Sequence, residues 1–194
     1  KKTIQTVSYM PHFISLVVVC GMVKAFVSDT GFISGIVAKF TGERVNLLSY
    51  PENFVTIFTS SGIWQELGWN SIIYLAALSG IDETLYEAAT IDGANRFKQT
   101  IHVTLPGIMP TIIIMLILNI GTMLSVGYEK IILLYNDLIM DKADVISSFT
   151  YRKGIIDMNW SYSTAVGLFS SVVNFALVFG SNYISRSFSE TSLW

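Results

Sequence analysis

The sequence predicts an all-α fold, a polytopic bundle of transmembrane helices. Of its 194 residues, 52% are hydrophobic and 13% are charged, whereas charged residues make up about a quarter of a typical soluble domain. Two stretches, 106–126 and 161–185, contain no Asp, Glu, Lys or Arg. Each is long enough to cross the hydrocarbon core of a bilayer as a helix, which takes about 20 residues. We therefore expect the chain to fold with lipid as part of its solvent.

Charge, cysteine content and motifs exclude several classes of function. The formal net charge is −2 at pH 7, so the chain has no basic field that could hold nucleic acid by neutralising phosphates. The single cysteine, Cys20, can form neither an intrachain disulfide nor a cysteine-based zinc site. The sequence has no G-x-S-x-G, H-E-x-x-H or P-loop motif. We predict that this chain has no enzymatic activity and binds no metal or cofactor.

Four transmembrane spans are predicted, at residues 9–27, 64–81, 106–127 and 161–185. The first carries one charge, Lys24, near enough to an end for its long side chain to reach the lipid headgroups. The second contains Glu66, whose carboxylate is tolerable there only if it faces protein or water. Between the spans, segments 28–62 and 127–160 hold most of the remaining charged, Gly and Asn residues. We expect these segments to be two large loops on one side of the membrane.

Residues 82–105, between the second and third predicted spans, are expected to form a helix–turn–helix elbow outside the bilayer. Thr84, with Glu87 three residues later, fits a capping box that begins a short helix. Gly93 permits a left-handed turn at the end of that helix. Asn95 then begins a second, polar helix.

In this second helix we expect Phe97 and Ile101 to face inward and Pro106 to lie in the first turn of the next span. A rigid elbow fixed to a span at each end would move both spans when a partner binds it. The alternative is an ordinary connecting loop, in which Glu87 only caps a helix and Gly93 only ends one.

The spacing of residues in this elbow resembles the EAA loop of binding-protein-dependent ABC importer permeases, E-A-A-x3-G-x9-I-x-L-P. The chain departs from that pattern at Val103, where isoleucine is usual. The matching residues are Glu87, Ala88, Ala89, Gly93, Leu105 and Pro106. Segments elsewhere are similar to the LplB-type carbohydrate permeases, relatives of the maltose permease, at residues 9–15, 69–78, 127–130 and 189–194.

The resemblance implies a type I importer fold with the elbow in the cytoplasm of a bacterial cell. It implies that Glu87, Asp92 and Gly93 lie in a groove of an ATPase subunit, where Glu87 faces a basic residue and Ala88 and Ala89 allow close approach. The implied partners are a second homologous permease, two ATPase subunits that bind ATP and Mg, and a solute-binding protein outside the cytoplasm that docks on the two large loops. Such permeases carry further N-terminal spans, and we expect these to be missing here.

Polar and aromatic residues on the spans are candidates for a sugar path, because amides and hydroxyls bind sugar hydroxyls and aromatic faces stack on sugar rings. Asn119, Thr122 and Ser125 recur every three residues and are expected to form one helical stripe. Tyr74 and Tyr128 are the aromatic candidates. The alternative is that small polar residues hold one helix to another.

Charged residues of the 127–160 loop are predicted to be structural or solvated. Glu129 and Lys130 are expected to form an ion pair at the outer surface. Asp137, Asp141 and Asp144 lack the glycine and the terminal glutamate of an EF-hand loop, so we expect a solvated loop and no calcium site.

Together these features predict a permease of the bacterial cytoplasmic membrane that carries an oligosaccharide or related carbohydrate inward. Two alternatives stay open: a permease for another class of solute, and an ion-coupled carrier that works without an ATPase. Ion-coupled carriers usually keep Asp, Glu or His within their spans, and residues 106–126 and 161–185 contain none.

Overall fold

In a computed structural model of the chain, residues 2–125 and 127–188 are described, and they form helices and turns with no β-strand. The predicted all-α class is confirmed. The α-helices are α1 (Lys2–Tyr9), α2 (Leu16–Val27), α3 (Phe32–Thr41), α4 (Pro51–Ser79), α5 (Glu83–Ile91), α6 (Arg96–Gln99), α7 (Leu105–Gly121), α8 (Tyr128–Leu134), α9 (Met140–Ala143), α10 (Ile146–Tyr151) and α11 (Trp160–Phe188). Short 3-10 turns lie at Met10–Phe13 and Leu47–Ser49, and π-helical turns lie at Thr100–Thr104 and Arg152–Ile156.

Three stretches of the described residues are long and apolar enough to cross a membrane: Leu16–Thr41, Arg96–Gly121 and Trp160–Arg186. The predicted spans 9–27, 106–127 and 161–185 each overlap one of these stretches, with different ends. Helix α4, which contains most of the predicted span 64–81 and carries Glu52 and Glu66, is not among the three. Its position in the membrane stays a prediction.

The chain divides into two compact units, residues 1–69 with 124–168, and residues 70–123 with 169–194. In the first unit, α2 packs against α3 and α8, and α8 packs against α10. Ile131 and Leu134, three residues apart, place one face of α8 in the core of this unit. The buried apolar residues of that core are Cys20, Val27, Leu48, Phe54, Ile131, Leu134, Ile139 and Ala143.

The two segments expected to be large loops are largely helical. Segment 28–62 contains α3 and the first turns of α4, and segment 127–160 contains α8, α9 and α10. They supply most of the buried core of the first unit. Their apolar residues are too few in a row to predict a span, yet they are enough to pack short helices against α2.

The predicted span 9–27 is wrong as one continuous helix. After α1 the chain makes the 3-10 turn Met10–Phe13, and Ile14 then takes an extended backbone conformation (φ −79°, ψ 131°) before α2 begins. Pro11 is buried within this turn and has no N–H with which to continue the hydrogen bonds of α1. The break therefore lies where the proline falls.

Lys130 does not form the ion pair expected with Glu129. Its side chain is buried, and its Nζ donates a hydrogen bond to the Phe58 carbonyl oxygen (3.2 Å) and lies 5.0 Å from the centre of the Phe58 ring. Neighbouring residues of a helix point in different directions, so Glu129 stays outside when Lys130 faces the core. Burial lowers the pKa of the Lys130 ammonium.

Asp144 is not the solvated loop carboxylate that was expected. The Arg152 guanidinium donates two hydrogen bonds to it, at 2.9 and 2.5 Å, and the Ser148 hydroxyl donates another. The Arg152 hydrogen bond is the main cause that holds the pKa of the Asp144 carboxyl below its ordinary range. This pair connects the C-cap of α9 to the start of the π turn Arg152–Ile156, across the length of α10.

Candidate functional site

The elbow, residues 82–105, begins with a capped helix in the second unit. The Asp82 carboxylate accepts a hydrogen bond from the Thr84 backbone N–H at 3.0 Å, so Asp82 is the N-cap of α5. The backbone N–H of Thr84, followed by its hydroxyl, holds the pKa of Asp82 below its ordinary value. The predicted capping box of Thr84 with Glu87 is wrong, because α5 begins earlier than expected and Thr84 already lies inside its first turn. The Glu87 carboxylate is left exposed.

The turn after α5 has the geometry of a Schellman motif. Gly93 has a φ of +73°, its N–H donates to the Thr90 carbonyl (3.0 Å), and the Ala94 N–H donates to the Ala89 carbonyl (2.9 Å). These two bonds satisfy carbonyls that the end of a helix otherwise leaves without partners. The predicted left-handed turn at Gly93 is confirmed.

The second helix of the elbow continues without a stop into α7. The Asn95 side chain accepts a hydrogen bond from the Lys98 N–H at 2.9 Å and caps α6, which confirms the predicted restart. Pro106 lies in the first turn of α7, as predicted, but α7 is not a separate helix, since α6, the π turn and α7 form one helical path. The Leu105 N–H donates to the Thr100 carbonyl five residues back. This wider turn makes room for Pro106, which lacks an N–H and whose ring crowds the carbonyl four residues before it.

Two side-chain hydrogen bonds fasten α5 to this helical path. The Tyr86 hydroxyl lies 2.9 Å from Thr104 Oγ1. Gln99 Nε2 donates to Thr90 Oγ1 at 3.0 Å and to the Ala94 carbonyl at 3.1 Å. Tyr86 and Thr104 hold the elbow together at the end far from its turn, and Gln99 holds it together at the turn. The elbow can therefore move as one piece.

Large apolar side chains of the elbow are exposed. Ile91 is 86% exposed and Phe97 is 72% exposed, and Ile101 is 41% exposed. The expectation that Phe97 and Ile101 face inward is wrong, because the polar Gln99 and Thr104 occupy the side that faces α5. We therefore expect these exposed apolar side chains to be covered by another molecule.

Comparison with known proteins decides the family. Residues 3–190 match the family described as binding-protein-dependent transport system inner membrane component. The chain belongs to this family. It is accordingly a membrane protein, a permease component of a transport system.

Two curated relatives of this permease come from Bacillus subtilis (strain 168). Protein LplB is 44% identical over 195 residues, which cover 100% of this chain and 61% of LplB. The polygalacturonan/rhamnogalacturonan transport system permease protein YteP is 40% identical, with the same coverage of 100% and 61%. The permease chain thus spans about three fifths of the length of these relatives.

Solved structures of alginate transporters have the same fold. A chain in the crystal structure of a bacterial alginate ABC transporter, in complex with an alginate pentasaccharide-bound periplasmic protein, matches with a TM-score of 0.95 and 42% identity, over 99% of this permease and 67% of that chain. A second structure, of a bacterial ABC transporter involved in the import of the acidic polysaccharide alginate, matches with a TM-score of 0.92 and 43% identity, over 96% and 65%.

The motif residues of the permease lie at the surface of the elbow. Glu87, Ala88, Asp92 and Gly93 are exposed, and Ala89 is half-buried. Leu105 is 42% exposed, and the following Pro106 is exposed as well. Their contact with an ATPase stays a prediction.

The residues predicted for a sugar path do not form the expected stripe. Helix α7 ends at Gly121, and Thr122 is its C-cap (φ −108°, ψ 7°), so Ser125 lies beyond the helix. Asn119 donates to the Met115 carbonyl (2.7 Å) and Thr122 to the Asn119 carbonyl (3.1 Å), so both bond to their own helix. Such local bonds compete with regular helix and help to end it.

The aromatic candidates of the path differ in their surroundings. Tyr128 is 38% exposed and its ring stacks on that of Tyr151 at 5.6 Å. Tyr74 is half-buried on α4. Their role in transport stays a prediction, as does that of Asn119, Thr122 and Ser125.

Sequence reasoning missed the residues that make the elbow rigid. Tyr86 and Thr104 are 18 residues apart, and Gln99 and Thr90 are nine apart. No periodic pattern connects such positions, because they meet only when the turn at Gly93 has reversed the chain. The signal that could have predicted these contacts is the turn at Gly93, because a reversal of the chain there requires the two helices of the elbow to lie side by side.

Proposed function

We propose that this chain is the membrane-spanning permease of an ATP-driven importer that carries an oligosaccharide into a bacterial cell. An ATPase subunit binds the elbow from the cytoplasm and moves it during the transport cycle. The chain itself performs no hydrolysis, and ATP and Mg belong to the ATPase. The observation that carries the proposal is a rigid elbow with an exposed face, in a member of the binding-protein-dependent family.

The exposed face of α5 has the chemistry of a docking surface. Glu87, Ala88 and Ile91 are spaced four and three residues apart and share one face of the helix, and all three are exposed. Ala88 allows close approach, Ile91 supplies apolar area, and Glu87 supplies a charge for a basic residue. Burying Ile91 and Phe97 under a partner would remove apolar surface that is otherwise left in water.

A recess beside this face suits a basic side chain of the ATPase. It has a volume of about 560 Å³ and is lined by Leu78, Ser79, Ile81, Glu83, Tyr86 and Glu87. Glu83 and Glu87 bring two carboxylates to one opening, and an Arg or Lys entering it would neutralise them. Asp92, Gly93, Leu105 and Pro106 would complete the contact at the two ends of the elbow.

The carbohydrate assignment is supported by the names of the relatives. The polygalacturonan/rhamnogalacturonan system, the arabinooligosaccharides system and the alginate transporter all handle sugars. By the same reasoning we propose a second homologous permease, two ATPase subunits and an external solute-binding protein as partners. We place the complex in the bacterial cytoplasmic membrane.

Transport by the purified complex in lipid vesicles tests the proposal. Uptake of labelled fragments of polygalacturonan, rhamnogalacturonan, alginate and arabinan should require both ATP and the solute-binding protein. Glu87→Ala should reduce uptake at least tenfold, with Glu52→Ala, an exposed carboxylate on α4, as the matched control. Uptake that persists without ATP would contradict the ATP-driven importer. A complex that hydrolyses ATP but carries none of these sugars would contradict the carbohydrate assignment.

Crosslinking tests the docking surface separately. Ala88→Cys and Ile91→Cys should crosslink to the ATPase subunit, whereas Lys39→Cys on α3 should not. The native Cys20 is buried, with 2% of its surface exposed, so it adds little background. Labelling of positions 88 and 91 by lipid or solvent reagents alone would argue against docking.

A further inference from the structure

Four side chains of the first unit form a cluster that the elbow does not use. His12 Nδ1 lies 3.0 Å from Glu66 Oε2, and the His12 ring stacks on Trp69 with ring centres 4.4 Å apart and planes at 2°. The Phe13 ring stands edge-on to both, at 5.6 Å from His12 and 5.4 Å from Trp69. We call these four residues the His12 cluster.

The cluster lies beside the middle of a long helix. Glu66 is near the centre of α4 (Pro51–Ser79), and at 1.5 Å per residue it is roughly 20 Å of helix from either end. If the whole of α4 crosses the bilayer, and not only the predicted span 64–81, the carboxylate is near the middle of the membrane, where a charge facing lipid is unfavourable. The side chain of Glu66 is nevertheless 44% exposed. The exposed part of the Glu66 side chain must therefore face water or another polar molecule.

Glu66 is not simply the partner of the buried Lys130. The Lys130 ammonium donates its hydrogen bond to the Phe58 carbonyl and lies over the Phe58 ring. The carboxylate is instead held by His12, through one of its two oxygens. Because the Glu66 side chain is 44% exposed, the carboxylate can accept further hydrogen bonds from a ligand beside the contact with His12.

The backbone beside the cluster is a break between two helices. The 3-10 turn Met10–Phe13, which carries His12 and Phe13, separates α1 from α2. Gln65 Nε2 donates a long hydrogen bond to the Ile14 carbonyl at 3.5 Å. Irregular backbone at membrane depth is tolerated where it is buried in protein or lines a cavity, and broken helices carry substrate sites in other transporters.

The turn is held closely against α4, so the position of His12 is fixed. Gly68 has no side chain, and a Cβ there would overlap the carbonyl of Ser8. The backbone of α1 therefore touches α4 two residues from Glu66. Stacking on Trp69 then fixes the orientation of the His12 ring.

We propose that the His12 cluster is a sugar-binding subsite on the transport path, an inference that rests on the carbohydrate import proposed above. Glu66 accepts hydrogen bonds from sugar hydroxyls through the exposed part of its carboxylate. Phe13, which is 72% exposed, and Trp69, which is 41% exposed, offer aromatic surface to the apolar face of a sugar ring. His12 acts as a positioning residue, because it contacts one carboxylate oxygen of Glu66 and one face of Trp69. The ligand class is a pyranose unit of an oligosaccharide.

Direct binding to the complex tests this subsite. The complex is placed in nanodiscs without the solute-binding protein, and calorimetry measures the Kd for the oligosaccharide, from the panel above, that the wild type transports fastest. Glu66→Gln and Phe13→Ala should each raise that Kd about tenfold, the size expected when a hydrogen bond to a charged group or a comparable contact is lost. Glu52→Gln on the same helix should leave it unchanged.

The controls separate binding from folding. Phe13 is so exposed that its removal should not change the melting temperature of the complex, and Phe13→Tyr, which keeps an aromatic ring, should restore the wild-type Kd. If both Phe13→Ala and Glu66→Gln bind the sugar as the wild type does, the subsite is refuted. It is refuted equally if the wild type transports the sugar but does not bind it without the solute-binding protein. Failure of the import proposal is a different result, in which the wild type carries no sugar at all.

Discussion

The Tyr86 hydroxyl lies 2.9 Å from Thr104 Oγ1, and this hydrogen bond joins the first helix of the elbow to the π turn that leads into α7. Tyr86 directly precedes Glu87, the residue that we expect to contact the ATPase. A movement of Glu87 can therefore pass to Thr104 through this hydrogen bond, beside the bond from Gln99 to Thr90 at the turn. The bond lies in the part of the chain where force must pass from the elbow to a helix that is apolar enough to cross the membrane.

Tyr86→Phe removes this hydrogen bond and keeps the aromatic ring. We expect a loss of about 0.5–1.5 kcal/mol of local stability and a fall in the number of sugar molecules imported per ATP hydrolysed. The measurement is the ratio of uptake to ATP hydrolysis in vesicles. Tyr183→Phe is the control, since Tyr183 is 71% exposed on α11. An unchanged ratio would show that the bond does not transmit force.

Gly93→Ala should weaken binding of the ATPase subunit. A Cβ at Gly93 meets no atom within 4 Å, so the penalty comes from the φ of +73°, which costs an L-residue about 1 kcal/mol or more. Gly42→Ala is a matched control, because Gly42 has a φ of +85°, the same open surroundings, and a place at the C-cap of α3, which is not part of the elbow. Affinity for the ATPase, measured in detergent, should fall only for Gly93→Ala. Equal effects of the two changes would indicate a general loss of stability.

Arg152→Met should destabilise the complex in a pH-dependent way. The folded-state pKa of Asp144 is lowered from its ordinary value of 3.8, first by the Arg152 hydrogen bond. The pair therefore stabilises the fold above that ordinary value, and the stabilisation is lost as the pH falls through the lowered pKa. We expect Arg152→Met to cost about 1.5–3 kcal/mol at pH 7 and less at a pH below the lowered pKa, where protonated Asp144 no longer pairs with Arg152, as measured by melting temperature.

Lys153→Met is the control for this experiment. Its ion pair with Asp157 is more exposed, at 41% and 47% of the side chains, than the pair of Arg152 with Asp144, at 19% and 27%. Exposed pairs four residues apart contribute about 0.3–0.5 kcal/mol. A melting temperature that falls as far for Lys153→Met as for Arg152→Met would contradict the structural role of Asp144.

Gly68→Ala should displace the turn that carries His12. An added Cβ overlaps the Ser8 carbonyl, which is backbone and cannot rotate away, so α1 must shift. We expect a lower melting temperature and weaker sugar binding together. Gly180→Ala on α11 meets no atom within 4 Å and should be neutral or stabilising, because Ala is the better helix former by about 1 kcal/mol. Wild-type behaviour of Gly68→Ala would show that α1 is not held there.

The parts of the elbow that were predicted correctly are those set by short-range chemistry. Gly93 adopts the left-handed turn because a glycine has no Cβ to resist it, and Asn95 caps α6 because its side chain reaches an N–H three residues on. The predicted start of α5 was wrong because both Asp82 and Thr84 can cap a helix, and in the structure Asp82 is the N-cap. Pro106 lies in the first turn of α7 as predicted, but the sequence did not show that the π turn Thr100–Thr104 joins α6 to α7 as one helical path.

By itself the sequence determined the helical class, the apolar stretches and the family to which the chain belongs, since these depend on composition and on spacing along the chain. Only the tertiary structure decided that Lys130 faces Phe58, that Tyr86 meets Thr104, and that His12 meets Glu66, 54 residues away. Such pairs form when helices pack and bring distant side chains together, and no local pattern records them. The physical reason is that a hydrogen bond depends on distance in space, whereas a sequence motif records only distance along the chain.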